Sequence, residues 1–388
     1  MFGSATVVHT LWGTPHSLYT GKIRSYLIKK GIPFREICPS DSRFRAEIRP
    51  AIRLKVAPVI ETPNGKILQD TTAMIEYFES TLPLPLMIPK SPVQQFVAWL
   101  ISAYGSEGLL PAAMSYRWSY RAEQENFLRA EFGRGVHVGP DREARLAAGL
   151  QLMSYFSDFL PGLGVTEHSR PEIEASYLEL LDALDIHFQR YPYLLGGRPS
   201  IADCGLMAPL YAHLARDPVP ATLMKNVAPN VYRWTERMNL AAIADGEFPD
   251  CPETYLADDE IPASLLPVLR LIFRDWGPEL LANAELFNQW ISANPGIPSG
   301  HKVAQDDRRT VHPTLGPIQY SLGDCDIERA SSPHALWHFD KAAALSRQLD
   351  AESARAFAEL MERTGGVEVM AIELARPMQR EDYVLVLS

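Results

Sequence analysis

The sequence is short of the features that would commit it to several common classes. Its four cysteines, Cys38, Cys204, Cys251 and Cys325, are so widely spaced that no Cys-x-x-Cys pair exists. A zinc ribbon and a dithiol redox centre both need such pairs, so neither is expected, and all four read as reduced thiols. Basic charge is also scarce: 37 Lys and Arg against 47 Asp and Glu leave a formal net charge of −10. A phosphate-backbone partner requires a basic footprint, so nucleic acid is not an expected ligand. No apolar run approaches the roughly 18–20 residues that span a bilayer, because Lys, Arg, Pro or Asp interrupt the richest stretches. The opening MFGSATVVHTLW holds neither a basic n-region nor an apolar stretch of signal-peptide length, which leads us to expect a cytoplasmic protein outside membranes. A Gly-x-Ser-x-Gly elbow, a P-loop and a dinucleotide fingerprint are missing too.

What is present suffices for a buried core. The 388 residues are 46% hydrophobic and 22% charged, a length and balance that suit two or three domains. Residues 5–11 read as a strand and Thr20 to Lys30 as a helix with Ile23 and Leu27 on one face, stopped by Gly31 and Pro33. PFREI, then VAPVIE and KILQ joined by the turn TPNGK, continue a small sheet, and DTTAMIEYFEST is a helix that Asp70 or Thr71 can cap. Beyond the Pro-punctuated connector 82–92 the pattern turns helical for about 150 residues. Its clearest helix carries Tyr177, Leu180, Leu181, Leu184 and Phe188 at core-facing spacing. After Leu240 the periodicity weakens. Residues 294–333 read as irregular, 335–364 as one helix, and VEVMAIEL and DYVLVL as strands.

Three separated motifs resemble those of glutathione transferases. Ser-Leu-Tyr-Thr-Gly-Lys-Ile-Arg, residues 17–24, is similar to the family's Ser-Pro-x-Ser-x-Lys-Val-Arg stretch, with Leu18 in place of Pro. Val-Ala-Pro-Val-Ile followed by Leu-Gln-Asp-Thr-Thr-Ala-Met-Ile-Glu-Tyr-Phe is similar to the family's Val-Pro-x-Leu and Glu-Ser segments; Pro58 takes the place of its cis proline, and Asp70 and Thr71 that of its Glu-Ser pair. Gly-Gly-Arg-Pro-Ser-Ile-Ala-Asp is similar to the signature in which a capping box, here Ser200 and Asp203, opens a buried helix. The resemblance implies a thioredoxin-like α/β domain over 1–82 and an all-helical domain over 92–245. It does not reach 250–388, which reads as an appended α+β extension.

The resemblance also implies chemistry. Glutathione would be the cosubstrate, with Ser17 meeting its sulfur; the alternative is that Ser17 only caps a helix, and His16 and Tyr19 are reserve donors while Thr20 packs or caps. Lowering a thiol pKa by two units requires about 2.7 kcal/mol, within reach of one hydrogen bond to a charged group aided by a helix N-terminus. Ala57 would offer its backbone to the cysteinyl part beside Pro58, and Asp70 and Thr71 would hold the γ-glutamyl ammonium and carboxylate, or else merely cap. Lys55, Arg49 or Arg53 would receive the glycyl carboxylate. A small apolar or aromatic electrophile would lie against Tyr116, Trp118 and Tyr120, which are otherwise core or dimer interface. His334 and His338 stand at i, i+4 near His312 and Cys325, but without the Glu of a zinc helix they read as surface or capping residues, and no metal is expected. A homodimer is implied by the resemblance alone. Two rivals remain: a non-catalytic protein of the same fold used for binding or assembly, and a glutaredoxin-like enzyme, which would need a cysteine where Ser17 or Thr20 stands.

Overall fold

The computed structural model describes residues 8–137, 139–305, 310 and 312–388. Residues 5–7 of the expected first strand lie outside that set; its described part is β1 (His9–Trp12). Helix α1 (Leu18–Lys30) starts two residues before the expected Thr20, because Ser17 caps it, and stops where Gly31 adopts φ 71°. Strand β2 (Phe34–Ile37) returns parallel to β1, and a π turn at Phe44–Ile48 leads into the short helix α2 (Arg49–Ile52). Strands β3 (Val59–Glu61) and β4 (Ile67–Gln69) complete a mixed sheet of order β2-β1-β3-β4, and α3 (Thr71–Thr81) packs against α1. This is the expected thioredoxin-like domain.

The helical region follows as expected. Helix α4 (Pro92–Ala103) passes through a π turn at Tyr104–Gly108 into α5 (Leu110–Ser119), and α6 (Arg121–Val136) and α7 (Arg142–Ser157) form a hairpin. Helix α8 (Arg170–Phe188) buries Tyr177, Leu180, Leu181, Leu184 and Phe188, as its spacing requires. At the centre lies α9 (Ile201–Pro209), every residue of which is buried. Its start is the foreseen box: the Ser200 hydroxyl accepts from Ala202 N, and the Asp203 carboxylate accepts from Ser200 N at 2.9 Å and from Trp234 Nε1 at 3.2 Å. Helices α10 (Pro218–Val227) and α11 (Pro229–Met238) close the bundle.

The extension differs most from expectation. Two helices are unforeseen: α12 (Leu266–Leu271) packs on α8 of the bundle, and α13 (Gly277–Ala293) packs on a hairpin of β5 (Pro317–Leu322) and β6 (Cys325–Ala330) in the stretch read as irregular. The expected helix over 335–364 is two, α14 (Pro333–Ser346) and α15 (Ala351–Thr364), because Asp350 breaks the run and caps the second through Glu352 N and Ser353 N. VEVMAIEL is not a strand: Gly365 ends α15 in the left-handed region, and residues 367–370 form the short helix α16 (Val367–Met370), whose Val369 side chain lies against Gly277 at the start of α13. DYVLVL does supply β8 (Val384–Leu387), paired with β7 (Met378–Glu381). One apolar core runs from Leu11 through the bundle to Leu387, so the extension shares its interior with the other two regions.

Candidate active site between the sheet end and the extension

Register gathers the expected residues. Trp12, the last residue of β1, pairs with Val59, the first of β3, which pairs with Gln69, the last of β4. With strands about 4.8 Å apart, the β1–α1 loop, the Ala57–Pro58 bond and Asp70 emerge from one end of the sheet. The Ala57–Pro58 bond is cis, as is Leu84–Pro85. Asp70 stands at φ 79°, and its Oδ1 accepts from Thr72 N at 2.9 Å and Ala73 N at 3.2 Å, so it caps α3 in a backbone conformation that non-glycine residues rarely adopt.

Around α1 the structure separates the candidate thiol donors. Ser17 is half-buried, and its Oγ accepts from Thr20 N at 3.3 Å, which leaves the hydroxyl proton for a ligand. Tyr19 turns inward and donates to Ser106 O at 3.3 Å; burial, with the charges of Glu107 and Asp70, pushes its phenol well up. His16 is buried against the Phe132 ring, 4.4 Å between centroids, and desolvation together with Arg117 holds it well below the usual histidine range. Thr20 is fully buried beneath Gly13. Of these four only Ser17 combines partial exposure with an uncommitted proton.

The aromatic segment contributes differently from what its sequence suggests. Tyr116 is 4% exposed, packed on Tyr177 and stacked on Tyr120, and Trp118 is 5% exposed in a cluster with Leu128, Phe132 and Met153. Tyr120 donates to Glu174. These side chains fill the bundle, whereas the arginine among them reaches the site. The buried Arg117 pairs with both oxygens of Asp217, at 2.6 and 3.0 Å, and donates to His16 O at 2.8 Å, fixing the backbone that leads into Ser17. Its Nη1 also meets His213 Nε2 at 2.7 Å, which makes that nitrogen the acceptor and leaves Nδ1 to donate to Ala113 O.

Lys55 is exposed and Arg49 half-exposed, while Arg53, at φ 56°, forms a salt bridge with Asp382 of the extension. That contact belongs to a set the sequence did not suggest. Arg380 Nη1 lies 4.0 Å from Asp70 Oδ2 and 3.2 Å from His334 Nε2, and Nη2 donates to Gln69 Oε1 and Tyr383 O. His338 Nδ1 lies 3.2 Å from Thr72 Oγ1, and its Nε2 lies 3.8 Å from Glu107. The two histidines of HALWH are thus domain-junction residues, and burial keeps both neutral, His334 near 3. Burial alone would raise Asp70, but the positive charge beside it, that of Arg380 first, holds the carboxyl below its usual range. Lys22, buried on α1 and bound to Ser106 Oγ at 2.9 Å, is lowered to about 8 by desolvation. Among the described residues no group of three or more His, Cys, Asp or Glu is disposed to hold a metal.

Comparison with known proteins agrees with this layout. Residues 11–85 match the family model of the glutathione S-transferase N-terminal domain, and residues 146–241 that of the C-terminal domain. Both domains of the glutathione S-transferase superfamily are thus present in this chain. Solved transferases similar to it include one from Methylobacterium radiotolerans in complex with glutathione sulfonate, 18% identical, covering 66% of this chain and 99% of that one at a TM-score of 0.35. Another, from Rhodospirillum rubrum, is 16% identical and covers 66% of this chain and 96% of that one at 0.37. The β-etherase LigF from Sphingobium is 17% identical, covering 61% and 95% at 0.38. A search of curated proteins finds no match. Among the described residues no helix is long and apolar enough to cross a membrane.

Proposed function

We propose that the protein is a cytoplasmic glutathione-dependent transferase in which Ser17 ionises the bound thiol and the thiolate attacks a small electrophile. The observation that carries this reading is the half-exposed Ser17 hydroxyl at the N-terminus of α1, in a chain with both transferase domains. Ala57 and Pro58 would align the cysteinyl backbone, Asp70 and Thr71 would receive the γ-glutamyl end, and the glycyl carboxylate would lie towards Lys55 or Arg53. The thiol proton leaves to water, the sulfur forms a bond to the electrophilic carbon, and the departing group takes the electron pair of the bond it breaks. Arg117 acts as a positioning residue through His16 O.

The test is Ser17→Ala with ultraviolet titration of enzyme-bound glutathione. Loss of a hydrogen bond to a charged sulfur, about 1.5–3 kcal/mol, corresponds to a thiol pKa higher by roughly one to two units. An unshifted titration rejects Ser17 as the activating group.

A second reading, a non-catalytic binding or assembly protein, is favoured by one observation: Asp70, Gln69, Thr72 and Arg53 already hold partners from the extension. Retention on immobilised glutathione and turnover of an aryl halide support the enzyme; absence of both supports the second reading.

A further inference from the structure

The β7–β8 hairpin brings two opposite charges to the two corners that the glutathione reading needs. Its tip is the two-residue turn Asp382–Tyr383, with φ of 48° and 66°. Left-handed backbone at two consecutive non-glycine residues is unfavourable, and such outliers persist where surrounding structure imposes them. Three contacts do so here. Arg380 reaches Asp70 and Gln69; Asp382 pairs with Arg53; and the Tyr383 ring packs against the cluster of Trp12, Phe44, Ile52 and Val59. Arg380 is further braced by donating 2.8 Å to Tyr383 O across its own turn.

We infer that this tip is an internal pseudo-ligand of the tripeptide site: the Arg380 guanidinium stands where the γ-glutamyl ammonium would meet Asp70, and the Asp382 carboxylate stands where the glycyl carboxylate would meet Arg53. The inference rests on the glutathione reading of those corners. Two residues apart, a long cationic side chain and a short anionic one point to opposite ends of the site, reproducing the charge order of the tripeptide on a hairpin. Competition is a better account than a shared site. The Asp70 side chain is only 14% exposed, and Thr71 and Thr72 are 4% and 0% exposed, so a ligand must displace Arg380 to reach them. The Asp382–Arg53 pair, about half exposed on both sides, is the weaker hold. Glutathione affinity is then reduced by the fraction of time the tip is undocked.

Calorimetry on the full chain, wild type against Arg380→Ala and Asp382→Asn, tests this with three ligands: glutathione, γ-glutamylcysteine and cysteinylglycine. Arg380→Ala should tighten glutathione and γ-glutamylcysteine about tenfold and leave cysteinylglycine unchanged. Asp382→Asn should tighten glutathione and cysteinylglycine about threefold and leave γ-glutamylcysteine unchanged. Equal or weaker glutathione binding by Arg380→Ala, in a chain whose wild type binds, overturns the pseudo-ligand and leaves the glutathione reading intact. If neither wild type nor variants bind glutathione, the glutathione reading fails, and the inference with it. Should Arg380→Ala fail to fold, hydrogen exchange of the wild type decides: saturating glutathione must speed exchange of the 380–385 amides, and unchanged or slowed exchange there overturns the inference.

Discussion

Ser17 carries two roles that one substitution confounds, and physical chemistry separates them. As N-cap it accepts from Thr20 N; as thiol donor it would use its proton. Ser17→Ala should lower stability by about 1 kcal/mol. Ser17→Asp should restore the cap while raising the bound thiol pKa, because a carboxylate repels a thiolate; denaturant melts and thiolate titration of the two variants show whether the roles divide this way. A second residue-scale prediction concerns Glu107. Burial, opposed by Arg329 and reinforced by Glu279, pushes its carboxyl up to about 8 from the ordinary glutamate value of 4.5. The folded state therefore keeps a proton that the unfolded chain has already lost, so this stability is full below about pH 4.5 and is lost as pH rises through about 8. Glu107→Gln should raise the melting temperature at pH 8 and make little difference at pH 4.5; an equal effect at both values would refute the assignment. Arg117, by contrast, is a buried ion-pair member, and Arg117→Met should cost about 3–5 kcal/mol by stranding Asp217.

At the scale of elements, α9 lies backbone to backbone against the end of α4. A Cβ on Gly205 would lie 2.4 Å from Ser102 Cα, and one on Gly105 would lie 2.3 Å from Gly205 O. Backbone sits on both sides, so neither position can relax by turning a side chain. Gly205→Ala should destabilise by about 3 kcal/mol, read as a lower urea midpoint. Elements also show where sequence reading reached. The capping box at Ser200 and Asp203, the face of α8 and the stop at Gly31 are short-range features, set within a few residues by hydrogen bonding and apolar spacing. The β5–β6 hairpin was legible in principle, since Ile318, Leu322, Cys325 and Ile327 alternate about a Gly323–Asp324 turn. HALWH was ambiguous for a different reason. Two histidines one turn apart share a face, but whether that face meets a metal, water or Thr72 and Arg380 depends on elements 266 and 46 residues away.

For the whole molecule, the extension is part of the core. Residues Val93 to Ala103 of α4 are buried except Gln95, with α14 and α15 covering that helix and α12 packing on α8. We expect one cooperative thermal transition, with far-ultraviolet and tryptophan signals coinciding; a separate early transition would show that the extension folds alone. A homodimer, implied by resemblance alone, would have to use a face other than the α4 face that α14 and α15 already cover.

The sequence by itself determined the thioredoxin-like and helical regions, the caps, and the presence of Ser17, Pro58, Asp70 and Thr71 in an order that resembles a glutathione transferase, because local spacing and capping chemistry act over a few residues. It also marked Tyr116, Trp118 and Tyr120, whose aromatic character cannot tell a pocket wall from a core. Only the tertiary structure decided that those rings pack inward, that Arg117 holds the backbone before Ser17, and that Arg380 and Asp382 meet Asp70 and Arg53. Charge pairing across 300 residues leaves no periodic trace in a chain; it exists only once the core has brought the two ends together.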